Sequence, residues 1–204
     1  VGSSGALTAA VFDRYCKSDS TEESKLKAVL AQIESFFHGS SSGIDPLVCQ
    51  KREAIVLEGS DHFYPVVAPA SVAWESGGLF LLDTGQSRET GPLVQRFLEW
   101  CQNPVFDHRL RSELLPANSD AIEAYLEEDV ELLWSRMQAI SRFQWKYFHE
   151  MIPESIKPYW YEGLDRAQFS LKLCGAGGGG FMLGATRDKD QLTSRLPAHQ
   201  LIWI

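Results

Sequence analysis

Six consecutive residues, Gly175 to Gly180, include five glycines, and they follow the alternating segment Leu171-Lys172-Leu173-Cys174. Each glycine gives up more backbone freedom on folding than alanine does. A hairpin turn needs one or two of them. The surplus points to backbone that must come close to another group, most often phosphate. The run also matches G-x-G-x-x-G at Gly175, Gly177 and Gly180. A dinucleotide fold requires a helix next, whereas Phe181-Met182-Leu183 reads as strand. No Gly-Lys-Ser/Thr follows, so the other common phosphate loop is excluded too. A glycine hairpin is the plain alternative.

The chain has 204 residues, enough for one domain or two small ones. Its 44% apolar and 23% charged content is that of a soluble globular protein. With 27 acidic residues against 19 basic ones, nucleic acid and anionic membrane are not expected as partners. A locally positive pocket for a small anion is compatible with that balance. No apolar run reaches transmembrane length and no signal-peptide pattern opens the chain. Cys16, Cys49, Cys101 and Cys174 show no metal or CxxC spacing, so reduced thiols in a cytoplasm are expected, and structural zinc is not. The opening Val1-Gly2-Ser3-Ser4-Gly5 reads as the middle of a loop, with upstream residues expected before it.

Helical spacing begins at Ala6 to Tyr15 and returns in the stripe Leu26, Leu30, Ile33 and Phe37, preceded by a capping box at Ser20 and Glu23. Gly39 to Gly43 reads as a loop carrying Ile44 and Asp45 onward. Strands are expected at 54–57, 63–67 and 79–83. Helices are expected at 92–101, 120–140, around 144–151 and near 161–168, and strands again at 169–174, 181–185 and 201–204. The mixture implies an α+β protein of two lobes, divided near the Gly85–Glu89 loop into residues 1–86 and 87–204.

Three further segments carry chemistry. Gly2-Ser3-Ser4-Gly5 opens a helix, where unpaired N–H groups and the helix dipole favour an anion and serine hydroxyls can add a phosphate or Mg²⁺ contact. A serine cap explains it equally well. Glu34 and Asp45 flank the loop in ESFFHGSSSGID, and such carboxylates can divide metal binding and proton acceptance between them. A solvated glutamate and an Asx turn are the bland reading. His38 suits the carbonyls of a helix end. Gly39 to Gly43 matches G-x-S-x-G, so a hydrolase built on Ser41, Asp83 and His149 is a third reading, although a helix precedes the serine where a strand is needed. Arg88 and Thr90, in GQSRET, can steady an anionic group or simply form a surface ion pair. Trp134, Trp145 and Trp160 are expected to pack the helical lobe.

Taken together, GSSGALTAA, HGSSSGID and LKLCGAGGGG resemble, in order, the motifs of the GHMP small-molecule kinase superfamily, its mevalonate kinase members most. Glu34 lies 11 residues before Asp45, as in the mevalonate kinase segment HGxPSGxD. The resemblance implies an S5-like N-terminal lobe, here incomplete, and a ferredoxin-like C-terminal lobe. It implies a small alcohol as substrate and ATP with Mg²⁺ as cofactors, and it leaves room for a homodimer. It assigns Gly2, Ser3, Ser4 and Gly5, with Gly175, Gly177, Gly178 and Gly179, to the nucleotide phosphates and their surroundings. Ser4 and Glu34 would hold Mg²⁺, Asp45 would orient or deprotonate the attacking hydroxyl, and Arg88, Thr90 and His38 would lie near the substrate. Ser41 stands where the family pattern has proline, and Gly5 where it has alanine. The family's first motif, whose lysine pairs with the aspartate, would lie upstream of Val1. A chain without it is expected to be inactive alone.

Overall fold

Leu30 has no exposed surface, and around it the first part of the chain closes its core. The computed structural model describes residues 3–16, 23–38, 41–59, 62–69, 72–87, 90–196 and 200–204, apart from the side chains of Ser3, Glu23, Phe37, His38 and Thr90. The chain divides into two units, Val1–Ala68 and Pro69–Ile204.

The first unit holds α1 (Ser3–Tyr15), α2 (Glu23–His38), α3 (Ile44–Lys51), β1 (Ala54–Glu58) and β2 (His62–Val66). Phe12 of α1, Leu30 of α2 and Leu47 of α3 form the core, with Leu26, Ile33, Ile55 and Phe63 packed against it. The expected stripe thus buries Leu30 and half-buries Leu26 and Ile33. The side chain of Phe37, its fourth member, and Ser20 of the capping box lie outside the description. β1 and β2 pair antiparallel from Ala54 opposite Val66 to Glu58 opposite His62.

One element departs from expectation. Ile44 and Asp45 belong to α3 rather than to a loop. Asp45-Pro46 reads as a turn, but proline is tolerated in the first turn of a helix, where its missing N–H has no partner to lose. Gly43 makes the entry possible. Its φ is +73°, and a Cβ there would stand 2.4 Å from the carbonyl oxygen of Lys27 on α2.

The second unit holds β3 (Gly78–Asp83), α4 (Thr90–Cys101), α5 (Pro104–Arg109), a π-helical turn (Leu110–Leu114), α6 (Leu115–Leu126), α7 (Val130–Tyr147), a 3-10 turn (His149–Met151), α8 (Lys157–Arg166), β4 (Phe169–Leu173), β5 (Phe181–Thr186), α9 (Lys189–Thr193) and β6 (Leu201–Trp203). Its antiparallel sheet runs β4-β5-β3-β6. β3 bonds to β5 and β6 from the end of the chain and so lies in the unit that begins at Pro69. The continuous helix expected at 120–140 is two helices. Glu128 takes φ +58° and Asp129 caps α7 by accepting the Leu132 N–H at 2.9 Å.

α7 seals the sheet's edge. Ser141 Oγ accepts the Leu171 N–H at 3.4 Å and Gln144 Oε1 accepts the Leu173 N–H at 2.8 Å, so β4 offers no open ladder on that side. Phe80, Leu82, Phe143, Trp160, Phe169 and Met182 are among the residues buried between sheet and helices. Trp134 and Trp160 are buried and Trp145 packs against the core, as expected of the helical lobe. Among the described residues no helix is long and apolar enough to cross a membrane.

Candidate functional site

Glu34 lies on the buried face of α2, 6% exposed, so it is not a solvated helix glutamate. Ser4 Oγ, in the first turn of α1, donates to Glu34 Oε1 at 2.9 Å. Ser41 Oγ, in the segment before α3, donates to Glu34 Oε2. Ser41 Oγ also accepts the Gly43 N–H at 2.9 Å, which fixes the hydroxyl proton on the carboxylate. Among the described residues no basic side chain pairs with Glu34. A buried carboxylate held by hydroxyls, with no cation beside it, is costly on its own account and suits a cation brought in from outside.

Asp45 stands exposed in the first turn of α3. The same turn lies against the start of α1: a Cβ on Gly5 would come within 2.9 Å of the Asp45 carbonyl carbon and 2.9 Å of the Pro46 nitrogen. Glycine where the family pattern has alanine therefore lets two helix starts touch. The first unit thus gathers the N-terminus of α1, Ser4, Glu34, Ser41 and Asp45. Gly2 lies outside the described residues, as do the side chains of Ser3 and His38.

In the second unit the glycine run joins β4 to β5. Gly175, Gly177, Gly178, Gly179 and Gly180 all take positive φ, from 71° to 153°, conformations that side chains resist. The Gly178 N–H donates to the Met151 carbonyl at 2.7 Å, and the Gly180 N–H to the Gln86 carbonyl at 2.8 Å. Thr84 closes the other side, its N–H and Oγ both donating to the Gly180 carbonyl at 2.9 and 2.8 Å. Two of the loop's amides are thus spent on holding the loop. Gly177 and Gly179 are buried, and their amides have no protein acceptor among the described residues. Buried N–H groups of that kind require a partner. A cavity of about 410 Å³ opens beside Gly175 and Ala176, its mainly apolar wall, with Leu93, Phe97 and Phe148, interrupted by Asn118, Gln144 and Lys172. Arg88 lies outside the description, as does the Thr90 side chain at the start of α4.

The hydrolase reading finds no support in these contacts. Ser41 donates to Glu34, Asp83 Oδ1 accepts the Gly85 N–H at 2.9 Å, and His149 rests edge-on against Trp145 with ring centroids 4.5 Å apart. A helix, not a strand, precedes Ser41.

No protein-family model matches the sequence, and no curated protein sequence matches it. Solved structures do. A mevalonate kinase from L. major, in complex with R-mevalonate, superposes with a TM-score of 0.67 at 19% identity, over 99% of this chain and 64% of that one. A Streptococcus pneumoniae phosphomevalonate kinase, in complex with phosphomevalonate and AMPPNP, gives 0.65 at 12% identity over 96% and 63%. Another mevalonate kinase structure gives 0.58 at 16% identity over 100% and 63%. This is the GHMP kinase fold. The chain spans less than two-thirds of the length of each of these proteins, in keeping with an incomplete two-lobed GHMP kinase fold.

The cation that a GHMP kinase fold implies fits the residues present. Ser4 Oγ and Glu34 Oε1 are hard oxygens 2.9 Å apart. That equals the edge of an octahedron with bonds of about 2.0–2.1 Å, the size Mg²⁺ demands. Among the described residues no three His, Cys, Asp or Glu side chains form a metal cluster. Mg²⁺ shared with phosphate needs only one or two protein oxygens. Sequence reasoning missed Ser41, which it weighed only as a nucleophile or a replaced proline. The available signal was Ser-Ser-Ser-Gly ahead of Asp-Pro, a run suited to hydroxyl turns that bond two residues onward. It also missed Thr84, Gln86 and Met151, whose backbone and hydroxyl groups tie down the glycine loop and carry no motif.

Proposed function

We propose that the protein carrying this chain is an ATP-dependent kinase of the GHMP type, transferring the γ-phosphoryl group to the 5-hydroxyl of mevalonate. The observation that carries the reading is Glu34: a buried carboxylate without a basic partner among the described residues, paired with Ser4 at the N-terminus of α1 and close to the helix turn that bears Asp45.

Ser4 and Glu34 would hold Mg²⁺, which would supply charge neutralisation for the transferring phosphoryl group. The free N–H groups at the start of α1, with Gly2 and Ser3, bind nucleotide phosphate. The amides of Gly177 and Gly179, which have no acceptor among the described residues, suit phosphate as well. Asp45 takes the proton of the acceptor hydroxyl as that oxygen forms its bond to the γ-phosphorus. The bond from phosphorus to the β–γ bridging oxygen breaks, and ADP leaves. In a loose transition state the aspartate acts more by orientation than by basicity. Arg88, Thr90 and His38 are assigned to the neighbourhood of the substrate. The acidic chain, with cysteines that show no metal or CxxC spacing, suits a cytoplasmic enzyme, monomeric or homodimeric, acting on a small alcohol.

An ADP-release assay on the full-length protein tests this, with mevalonate beside phosphomevalonate, homoserine and sugars. Mevalonate-dependent turnover is expected. Turnover with another acceptor alone overturns the substrate and keeps the kinase. ATP binding without turnover on any acceptor makes the protein a non-catalytic nucleotide-binding relative.

A further inference from the structure

We propose that Ser41 sets which divalent cation the Glu34 site accepts, by restricting that carboxylate to a single coordinating oxygen. The inference rests on the kinase reading above and concerns a residue outside the expected ligand set.

Glu34 presents one oxygen to each side. Oε1 meets the Ser4 hydroxyl at 2.9 Å, and Oε2 takes the Ser41 proton. Ser41 is not free to turn away, because its oxygen accepts the Gly43 N–H at 2.9 Å. Gly43 is itself fixed, with φ +73° and no room for a side chain against α2. Glu34 is 6% exposed, so bulk water does not readily replace the serine hydroxyl. The carboxylate therefore offers Oε1 alone on the side of Ser4.

This geometry discriminates between cations. Mg²⁺ bonds oxygen at about 2.0–2.1 Å and demands a near-ideal octahedron, which a single carboxylate oxygen satisfies. Ca²⁺ bonds at about 2.3–2.6 Å, takes more ligands and readily accepts both oxygens of one carboxylate. Holding Oε2 away denies Ca²⁺ its second oxygen and leaves Mg²⁺ undisturbed. Ser41 is thus a positioning residue that acts through Glu34.

The test is metal competition on the full-length protein with AMPPNP, reading bound Mn²⁺ by electron paramagnetic resonance as Mg²⁺ or Ca²⁺ displaces it. Ser41→Ala is expected to shift the Mg²⁺-to-Ca²⁺ affinity ratio by about tenfold towards Ca²⁺, the scale of outer-shell changes at metal sites. Ser41→Thr, which keeps the hydroxyl, is expected to hold the ratio of the unsubstituted protein. Ser41→Cys, close in size but a weak donor, repeats the measurement should alanine unseat the loop. An unchanged ratio in both the alanine and cysteine variants overturns the inference and leaves the kinase reading intact. Failure of the unsubstituted protein to bind AMPPNP with any divalent cation overturns both.

Discussion

Ser4 donates a hydrogen bond to Glu34 at 2.9 Å across 30 residues of chain, joining the first turn of α1 to the buried face of α2. That contact turns two unremarkable residue types into a pair of hard oxygens at the spacing of an octahedral edge. It also explains why a carboxylate sits in the interior of a small helical unit. Ser41 holds its other oxygen, and a polar group so enclosed is satisfied only in part by neutral donors.

Glu34→Gln is expected to keep the fold and raise the Mg²⁺ concentration needed for half-maximal activity by about tenfold or more, as loss of a charged metal ligand should. The amide carries no buried charge, so thermal stability measured without metal should hold or rise. A Mg²⁺ titration beside a melting curve checks both. An unchanged titration removes Glu34 from the metal site.

Asp45→Asn leaves the first turn of α3 and the close approach of Gly5 in place, since neither depends on the carboxylate charge. The expected result is a fall in kcat of about 10²–10⁴-fold, with nucleotide affinity little changed. Steady-state kinetics and AMPPNP binding separate the two quantities. A near-normal kcat sinks the role assigned to Asp45.

Gly177→Ala and Gly179→Ala each force a side chain into positive φ, with Cβ 2.7 Å from the carbonyl oxygens of Met151 and Gln86 respectively. Each change should cost about 1–3 kcal/mol of stability from backbone strain alone, with more from the clash. Denaturant unfolding measures the loss. Equal stability would mean that the loop is not held by Met151 and Gln86 as described.

Thr8 is completely buried in α1, and its hydroxyl has no hydrogen-bond partner among the described residues. Thr8→Val keeps the shape and removes an unsatisfied group, so stability should rise by about 1 kcal/mol. A fall in the melting temperature would show that the hydroxyl has a partner in solution.

Much of the architecture is legible along the chain. The spacing of Leu26, Leu30 and Ile33 marks α2, and the alternation of Phe169, Leu171 and Leu173 marks β4, because local periodicity reports which face is buried. Asp45-Pro46 misleads, since the same dipeptide starts a turn or a helix, and only the left-handed Gly43 against Lys27 selects the helix. The pairing of β3 is illegible for a different reason. β3 belongs with strands more than 90 positions onward, opposite residues such as Thr186 and Trp203, and pairing over that distance leaves no trace in local pattern.

The glycine run, the serine loop and the spacing of Glu34 from Asp45 raise the expectation of phosphate chemistry from the sequence by itself, because five glycines exceed what a hairpin needs. The tertiary structure decides how that chemistry is shared out. It spends the amides of Gly178 and Gly180 on holding their loop and leaves those of Gly177 and Gly179 without acceptors among the described residues. It brings Ser4 and Ser41 onto opposite oxygens of one buried carboxylate. Hydrogen bonds are a few ångströms long while the segments they join are far apart in the chain, so residue type can announce a capacity but only packing assigns its partner.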